Sequence, residues 1–179
     1  MLLWVVAYSI IGAAIYLIVV LIPMPFTMIS LFKLGLAPAL AVIAVVGAVR
    51  GPIAGLLTGY IGEVMHALIL SGGLVTATLP ALAYGFMGLV VGLTPYEFAR
   101  GRSLAKLSLL SIVGLMMTAL LVLVIDLFVE SFGTLAVIGF AFLPLVTVGL
   151  PTVALLTPLF ARVLYFFTVE IRPHAIGAM

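Results

Sequence analysis

Residues 1–21, MLLWVVAYSIIGAAIYLIVVL, form an apolar run without a single charged side chain, and similar runs recur along the chain. A helix that crosses a lipid bilayer needs about 20 consecutive apolar residues. Of the 179 residues, 66% are hydrophobic and 7% are charged, which is too little polar surface for a water-soluble domain. The runs lack the alternation of an outer-membrane barrel, so the sequence predicts an all-α integral membrane protein.

Prolines and glycines divide the apolar runs into six predicted membrane helices, which form one compact domain over residues 1–179. The first run is too long for a cleavable signal peptide and is interpreted as a membrane helix. Residues 131–145 are interpreted as a short re-entrant or interfacial helix, and a seventh span is the alternative. The predicted helices cover about residues 2–22, 34–49, 52–71, 75–93, 104–129 and 146–169.

The basic residues predict the orientation of these helices. With six spans and a cytoplasmic N-terminus, six of the seven basic residues fall on the inner side or on the adjoining helix ends, and only Lys33 falls outside. Lysine and arginine are enriched in cytoplasmic loops, so both termini are predicted in the cytoplasm. The six inner residues are Arg50, Arg100, Arg102, Lys106, Arg162 and Arg172.

The segment GPIAGLLTGYIGEVMH, residues 51–66, carries four glycines within the third predicted helix. At about 100° per residue, Gly51, Gly55, Gly59 and Gly62 fall on one face of that helix. Small residues on one face of a membrane helix let a neighbouring backbone approach closely. The four glycines are therefore predicted to be helix-packing residues.

Glu63 and His66 follow these glycines, in the outer half of the membrane according to the predicted orientation. Ionisable residues in a bilayer are rare and face the bundle interior or a water-filled cavity, so we predict that both contact a substrate. The alternative is a Glu–His hydrogen bond that only joins two helices. A metal site is not expected, because the chain has two histidines, one of them near the C-terminus, and no HExxH motif.

Further polar and aromatic residues fall on the same predicted outer side. The candidates for substrate binding are Lys33, Asp126, Glu130, Phe32 and Phe140. Ion-pairing groups with aromatic walls suit a small organic solute with a flat ring, and Lys33 favours an anionic group on that solute. The alternatives are charges that water solvates at the interface and an ordinary interfacial belt of aromatic residues.

Several function classes have no support in the sequence. The chain has no P-loop, no Gly-x-Ser-x-Gly elbow and no cysteine, so ATP hydrolysis, serine hydrolase chemistry and thiolate metal sites are not expected. A net charge of +2 gives no indication of nucleic-acid binding. We expect a binding protein in the lipid bilayer, with no enzymatic activity, no catalytic residues and no cofactor.

The run GAVRGPIAGLLTGYIGEVMHALILSGG, residues 47–73, resembles the region of the second and third helices in S components of energy-coupling factor (ECF) transporters. The run YGFMGLVVGL, residues 84–93, resembles their glycine-rich fourth helix. Residues 47–93 carry the resemblance, while the rest of the chain agrees only in length and in predicted spans. The matching positions are Gly47, Gly51, Pro52, Gly55, Gly59, Gly62 and Glu63.

The resemblance implies a function in the plasma membrane of a prokaryotic cell. S components capture a vitamin or vitamin precursor at the outer face and deliver it inward by associating with a membrane coupling subunit and two ATPase subunits. Their first helix often carries an Ala-xxx-Ala pair for docking, and the corresponding residues here are Ser9, Gly12 and Ala13. The alternatives are an autonomous solute channel or carrier and an intramembrane enzyme.

Overall fold

The computed structural model describes residues 2–21, 37–71, 78–128 and 133–170. Of these residues 92% are helical and none lies in a strand, which confirms the prediction of an all-α protein. The main helices are α1 (Leu2–Leu21), α2 (Pro38–Arg50), α3 (Pro52–Ser71), α4 (Thr78–Gly92), α5 (Gly101–Phe128) and α6 (Leu143–Glu170).

The start of α6 differs from the sequence prediction. A helical turn at Thr134–Ala136 and a π-helical segment at Val137–Phe142 lead into α6 without a break. The described part of residues 131–145 is therefore the beginning of the last helical run, instead of a separate re-entrant helix or an additional span. Apolar residues of this kind stay helical because intrahelical hydrogen bonds satisfy the backbone where water is absent.

Four of the described helical segments are long and apolar enough to cross a membrane, by length and composition. They are Leu3–Leu21, Pro52–Ile69, Gly101–Phe128 and Val137–Phe166. The apolar helices Pro38–Arg50 and Leu79–Gly92 are shorter. Helices of this length and composition are typical of a membrane protein.

The shorter helix α2 lies inside the bundle, whereas α4 is partly covered and exposes Leu82 and Phe86. Residues 39–45 of α2 are all buried, and α2 contacts α1, α3, α4 and α6. The principal apolar core lies between α2, α4, α5 and α6 and includes Met87, Val91, Leu107, Leu115 and Val153. The longer helices expose large apolar side chains on their outer faces, as expected for contact with lipid.

Close contact between α3 and α4 depends on glycine. The backbone of Gly55 lies against that of Gly88, and a Cβ atom at either position would overlap the other residue. One turn later, a Cβ atom at Gly59 would lie 2.6 Å from the Tyr84 carbonyl oxygen and 2.8 Å from Gly85 Cα. Two helix backbones can approach this closely because the glycines at the contact have no Cβ atom between them.

Gly51 has a further role at the boundary between α2 and α3. A Cβ atom there would meet nothing within 4 Å, but the Gly51 backbone lies against α4, since a Cβ atom at Gly92 would be 2.6 Å from the Gly51 carbonyl carbon. Its φ is 94°, a backbone conformation that glycine adopts without the steric penalty of other residues. Gly51 therefore forms the turn between α2 and α3, where Pro52 begins the next helix.

Candidate functional site

A cavity of about 510 Å³ lies at one end of the bundle. It is lined by the C-terminal parts of α1, α3 and α5 and by the N-terminal parts of α2, α4 and α6. The volume is in the range of small-molecule sites, about 300–1,000 Å³. Each helix contributes to the lining, for example through Tyr16, Leu40, Glu63, Tyr84, Asp126 and Val148.

The opposite end of the bundle carries basic residues. Arg50 ends α2, and Arg100 and Arg102 lie at the beginning of α5. Arg50 also lies over the ring of Tyr8 on α1, with its guanidinium carbon 3.5 Å from the ring centre. We call this part of the molecule, with Lys106, the basic end.

Glu63 is held from two sides. The Tyr16 hydroxyl donates a hydrogen bond to Glu63 Oε2, and His66 Nδ1 lies 3.3 Å from Glu63 Oε1. The side chains of Glu63 and His66 are 17% and 23% exposed, so both lie mostly inside the protein. Residues three apart share one face of a helix, which explains why both side chains reach the same cavity.

Gly62 gives Tyr16 the space to reach Glu63. A Cβ atom at position 62 would lie 2.6 Å from Tyr16 Cδ1, so the tyrosine ring packs directly against the backbone of α3. Tyr16 is 3% exposed, and a buried tyrosine hydroxyl normally has a hydrogen-bond partner. The glycine therefore has a positioning effect on the site as well as a packing effect between α1 and α3.

Asp126 faces the cavity from α5 and is 9% exposed. Within residues 2–21, 37–71, 78–128 and 133–170, its carboxylate has no hydrogen bond or ion pair. Tyr84 of α4 lines the same cavity as Asp126 and Glu63. We call the five residues Tyr16, Glu63, His66, Tyr84 and Asp126 the polar cluster.

The polar cluster is acidic and is surrounded by apolar walls. Among the described residues, the cavity lining contains two carboxylates, one imidazole and no lysine or arginine. No group of three or more metal-ligating side chains occurs in the described parts of the chain. The arrangement can accept hydrogen bonds and attract positive charge, while side chains such as Val20, Leu40 and Val122 can cover an apolar surface.

The structure brings together three of the substrate-binding residues that the sequence indicates, Glu63, His66 and Asp126. Phe140 lies in the π-helical segment, and its side chain is outside the described part of the molecule. Lys33, Phe32 and Glu130 lie outside the described residues, so their roles stay predictions.

Sequence reasoning missed Tyr16 and Tyr84. Both lie in apolar helices, where a phenolic hydroxyl indicates a polar partner or a watery cavity nearby. The positions of the two tyrosines could have indicated the site, because Tyr16 lies near the end of α1 and Tyr84 near the beginning of α4. In the predicted orientation both ends face outward, as do Glu63 and Asp126.

The predicted docking residues lie inside the bundle. The Ser9 hydroxyl donates to the Val5 carbonyl at 2.8 Å, and the Thr58 hydroxyl of α3 donates to the Ser9 carbonyl at 3.4 Å. A Cβ atom at Gly12 would lie 2.8 Å from Thr58 Oγ1, and Ala13 is 5% exposed. Ser9, Gly12 and Ala13 therefore join α1 to its neighbours, and a coupling subunit cannot touch them while these helices stay packed.

Comparisons with protein-family models, with curated proteins and with solved structures find no match to this chain.

Proposed function

We propose that this chain is the solute-capture membrane subunit of an ECF-type importer. It crosses the plasma membrane of a prokaryotic cell six times, with both termini in the cytoplasm. It binds a small vitamin-like solute in the cavity from the outer side. A membrane coupling subunit and two ATPase subunits then drive delivery of the solute to the inside.

The cavity is the observation that carries this proposal. It has the volume of a small-molecule site, it is lined by residues of all six main helices, and its polar groups converge from α1, α3, α4 and α5. Convergent polar groups in a mostly apolar pocket are typical of ligand sites, because they fix the orientation of the ligand. A purely structural bundle has no need of such a cavity at one end.

The charge distribution supports an outward-facing site. Arg50, Arg100, Arg102 and Lys106 lie at the end of the bundle opposite the cavity. If the basic end faces the cytoplasm, as the positive-inside rule favours, the cavity faces outward. In this topology α2 and α4 also cross the membrane, since both pack between the longer helices.

The need for partners follows from what the sequence lacks and from what it resembles. The chain contains no P-loop, so it has no recognised device for coupling ATP to uphill import. The resemblance of residues 47–93 to S components supplies the identity of the expected partners. The chain itself binds the solute, and the partners convert binding into transport.

Reconstitution in liposomes tests the proposal. The small molecule released from the purified protein is identified by mass spectrometry, and its uptake is measured with the chain alone and with the coupling subunit and ATPases. We expect binding by the chain alone and uptake only with the complete complex and ATP. Uptake by the chain alone would instead identify an autonomous carrier, and chemical conversion of the molecule would identify an enzyme.

A further inference from the structure

We infer that the solute bound in this cavity is a small organic cation with a flat ring. The inference rests on the proposed function, since it names the chemical class of the solute that the cavity takes. Three observations carry it: the charge of the cavity lining, the Asp126 carboxylate that no described residue pairs with, and the hydrogen bonds of Glu63.

The charge of the lining favours a cation over an anion. Glu63 and Asp126 both face the cavity, and the described lining residues include one imidazole, that of His66 beside Glu63, and no lysine or arginine. An anion here would be repelled by two carboxylates, and repulsion is strong where little water screens it. A cation would be attracted by both carboxylates at once.

Asp126 marks the position of the positive group. The residue is 9% exposed and lines the cavity, and no described residue gives its carboxylate a hydrogen bond or an ion pair. A carboxylate that lines a cavity and has no protein partner is available to pair with a polar group of a ligand. A ligand N–H group or a positively charged ring nitrogen would be such a partner.

Glu63 adds an acceptor of fixed orientation. The Tyr16 hydroxyl already donates its proton to Glu63 Oε2, and His66 lies at Oε1. A tyrosine hydroxyl has one proton, so Tyr16 has none left to donate to an anionic ligand. The remaining lone pairs of the Glu63 carboxylate can accept from a ligand, which again favours a ligand that donates.

The size of the cavity and its walls indicate an organic molecule instead of a metal ion. The volume of about 510 Å³ is far larger than an ion requires, and no group of three or more metal-ligating side chains occurs among the described residues. Val20, Leu40, Val122 and Leu145 provide apolar contact for a ring. Tyr84 also lines the cavity and adds an aromatic ring that can contact a cation.

The inferred charge is opposite to the one that Lys33 favours. The sequence alone places a single basic residue on the outer side, and a ligand with an anionic group would pair with it. The two carboxylates outweigh this argument because they are seen to face the cavity, whereas Lys33 lies outside the described residues.

Binding of matched probes to the purified full-length chain tests the inference. The probes are 1-methylnicotinamide, nicotinamide and nicotinate, with benzylamine, benzamide and benzoate as a second set, so that charge changes on a constant ring. We expect each cation to bind at least about 10-fold more tightly than its neutral and anionic relatives, the effect of one charged hydrogen bond. If denaturation of the purified protein releases a bound molecule, we expect that molecule to be a cation.

The outcomes separate the inference from the proposed function. Tighter or equal binding of the neutral or anionic probes, or release of an anionic molecule, overturns the inference and leaves the capture function in place. A chain that binds no probe and releases no small molecule overturns both.

Variants of the carboxylates complete the test. Asp126→Asn keeps the shape and removes the charge, so we expect about 10- to 100-fold weaker binding of the cationic probe and little change for the neutral one. Asp126→Glu keeps the charge and should keep the preference for cations. Glu97→Gln is the matched control, because Glu97 pairs with Arg100 at 2.8 Å near the basic end. Equal effects of Asp126→Asn and Glu97→Gln on cation binding would contradict the inference.

Discussion

The two halves of α3 differ in what their glycines do. In the first half, Gly55 and Gly59 let α3 and α4 meet backbone to backbone, and no room remains between the helices. In the second half, Gly62 makes room for the Tyr16 ring, and Glu63 and His66 face the cavity. The same sequence pattern therefore serves tight packing at one end and the construction of a site at the other. Substitutions in the first half should affect stability, and substitutions in the second half should affect binding.

The largest effect is expected in the first half, at Gly55. Gly55→Leu forces a side chain into the backbone of Gly88, so the two helices must separate. We expect a loss of at least about 3 kcal/mol, at or beyond the upper end for overpacking, and little monodisperse protein in size-exclusion chromatography. Gly139→Leu is the control, because a Cβ atom at Gly139 meets nothing within 4 Å. Equal yields of the two variants would contradict the packing role of Gly55.

A substitution on α1 tests the contact of α1 with α2 and α3. Gly12→Leu places a side chain against Thr58 and Val46, so thermal unfolding in detergent should show destabilisation of about 1–3 kcal/mol. Ala14→Leu is the control, since Ala14 is exposed on α1. Should Gly12→Leu leave the unfolding temperature unchanged and abolish only assembly with a coupling subunit, Gly12 would be a docking residue after all.

In the second half, the polar residues should control affinity. Glu63→Gln and His66→Ala each remove a polar group from the cavity, and such a loss costs about 1–3 kcal/mol, or roughly 5- to 150-fold in affinity. Binding of the co-purified solute is the measurement, and the unfolding temperature without solute should change little. Unchanged affinity in both variants would reduce the Glu63–His66 contact to a structural hydrogen bond.

Tyr16→Phe should have the smallest effect of the series. It removes the hydroxyl that donates to Glu63 and keeps the ring that packs on Gly62. A single hydrogen bond contributes about 0.5–1.5 kcal/mol, which corresponds to roughly 2- to 10-fold in affinity if Tyr16 acts by holding Glu63 in place. An effect on stability without any effect on solute affinity would assign Tyr16 to packing alone.

The sequence predicted the helical class well because apolar runs and their breakers are local signals. Pro52 and Gly51 marked the boundary between α2 and α3 at its observed place. The uninterrupted helical run from Thr134, which includes Gly139, was missed, because residues 131–145 were interpreted as a separate short helix. In an apolar environment the backbone gains more by keeping its intrahelical hydrogen bonds, so this glycine does not end the helix.

The site was predicted in part, and the reason is geometric. Glu63, His66 and Asp126 stood out because charged groups are rare in apolar helices. Tyr16 and Tyr84 carry no charge, and their approach to Glu63 depends on how α1 and α4 pack against α3, which one sequence does not reveal. Likewise, Ser9, Gly12 and Ala13 form a small-residue face in either case, and only the packed helices show that this face is turned inward.

Labelling of single cysteines in intact cells tests most directly whether the cavity captures a solute from outside. The chain has no native cysteine, so Pro144→Cys at the cavity and Arg102→Cys at the basic end each introduce a unique thiol. A membrane-impermeant maleimide should label Pro144→Cys from outside, the co-purified solute should slow this labelling, and Arg102→Cys should react only after the membrane is permeabilised. Labelling of Arg102→Cys from outside, with Pro144→Cys protected until permeabilisation, would contradict an outward-facing capture site.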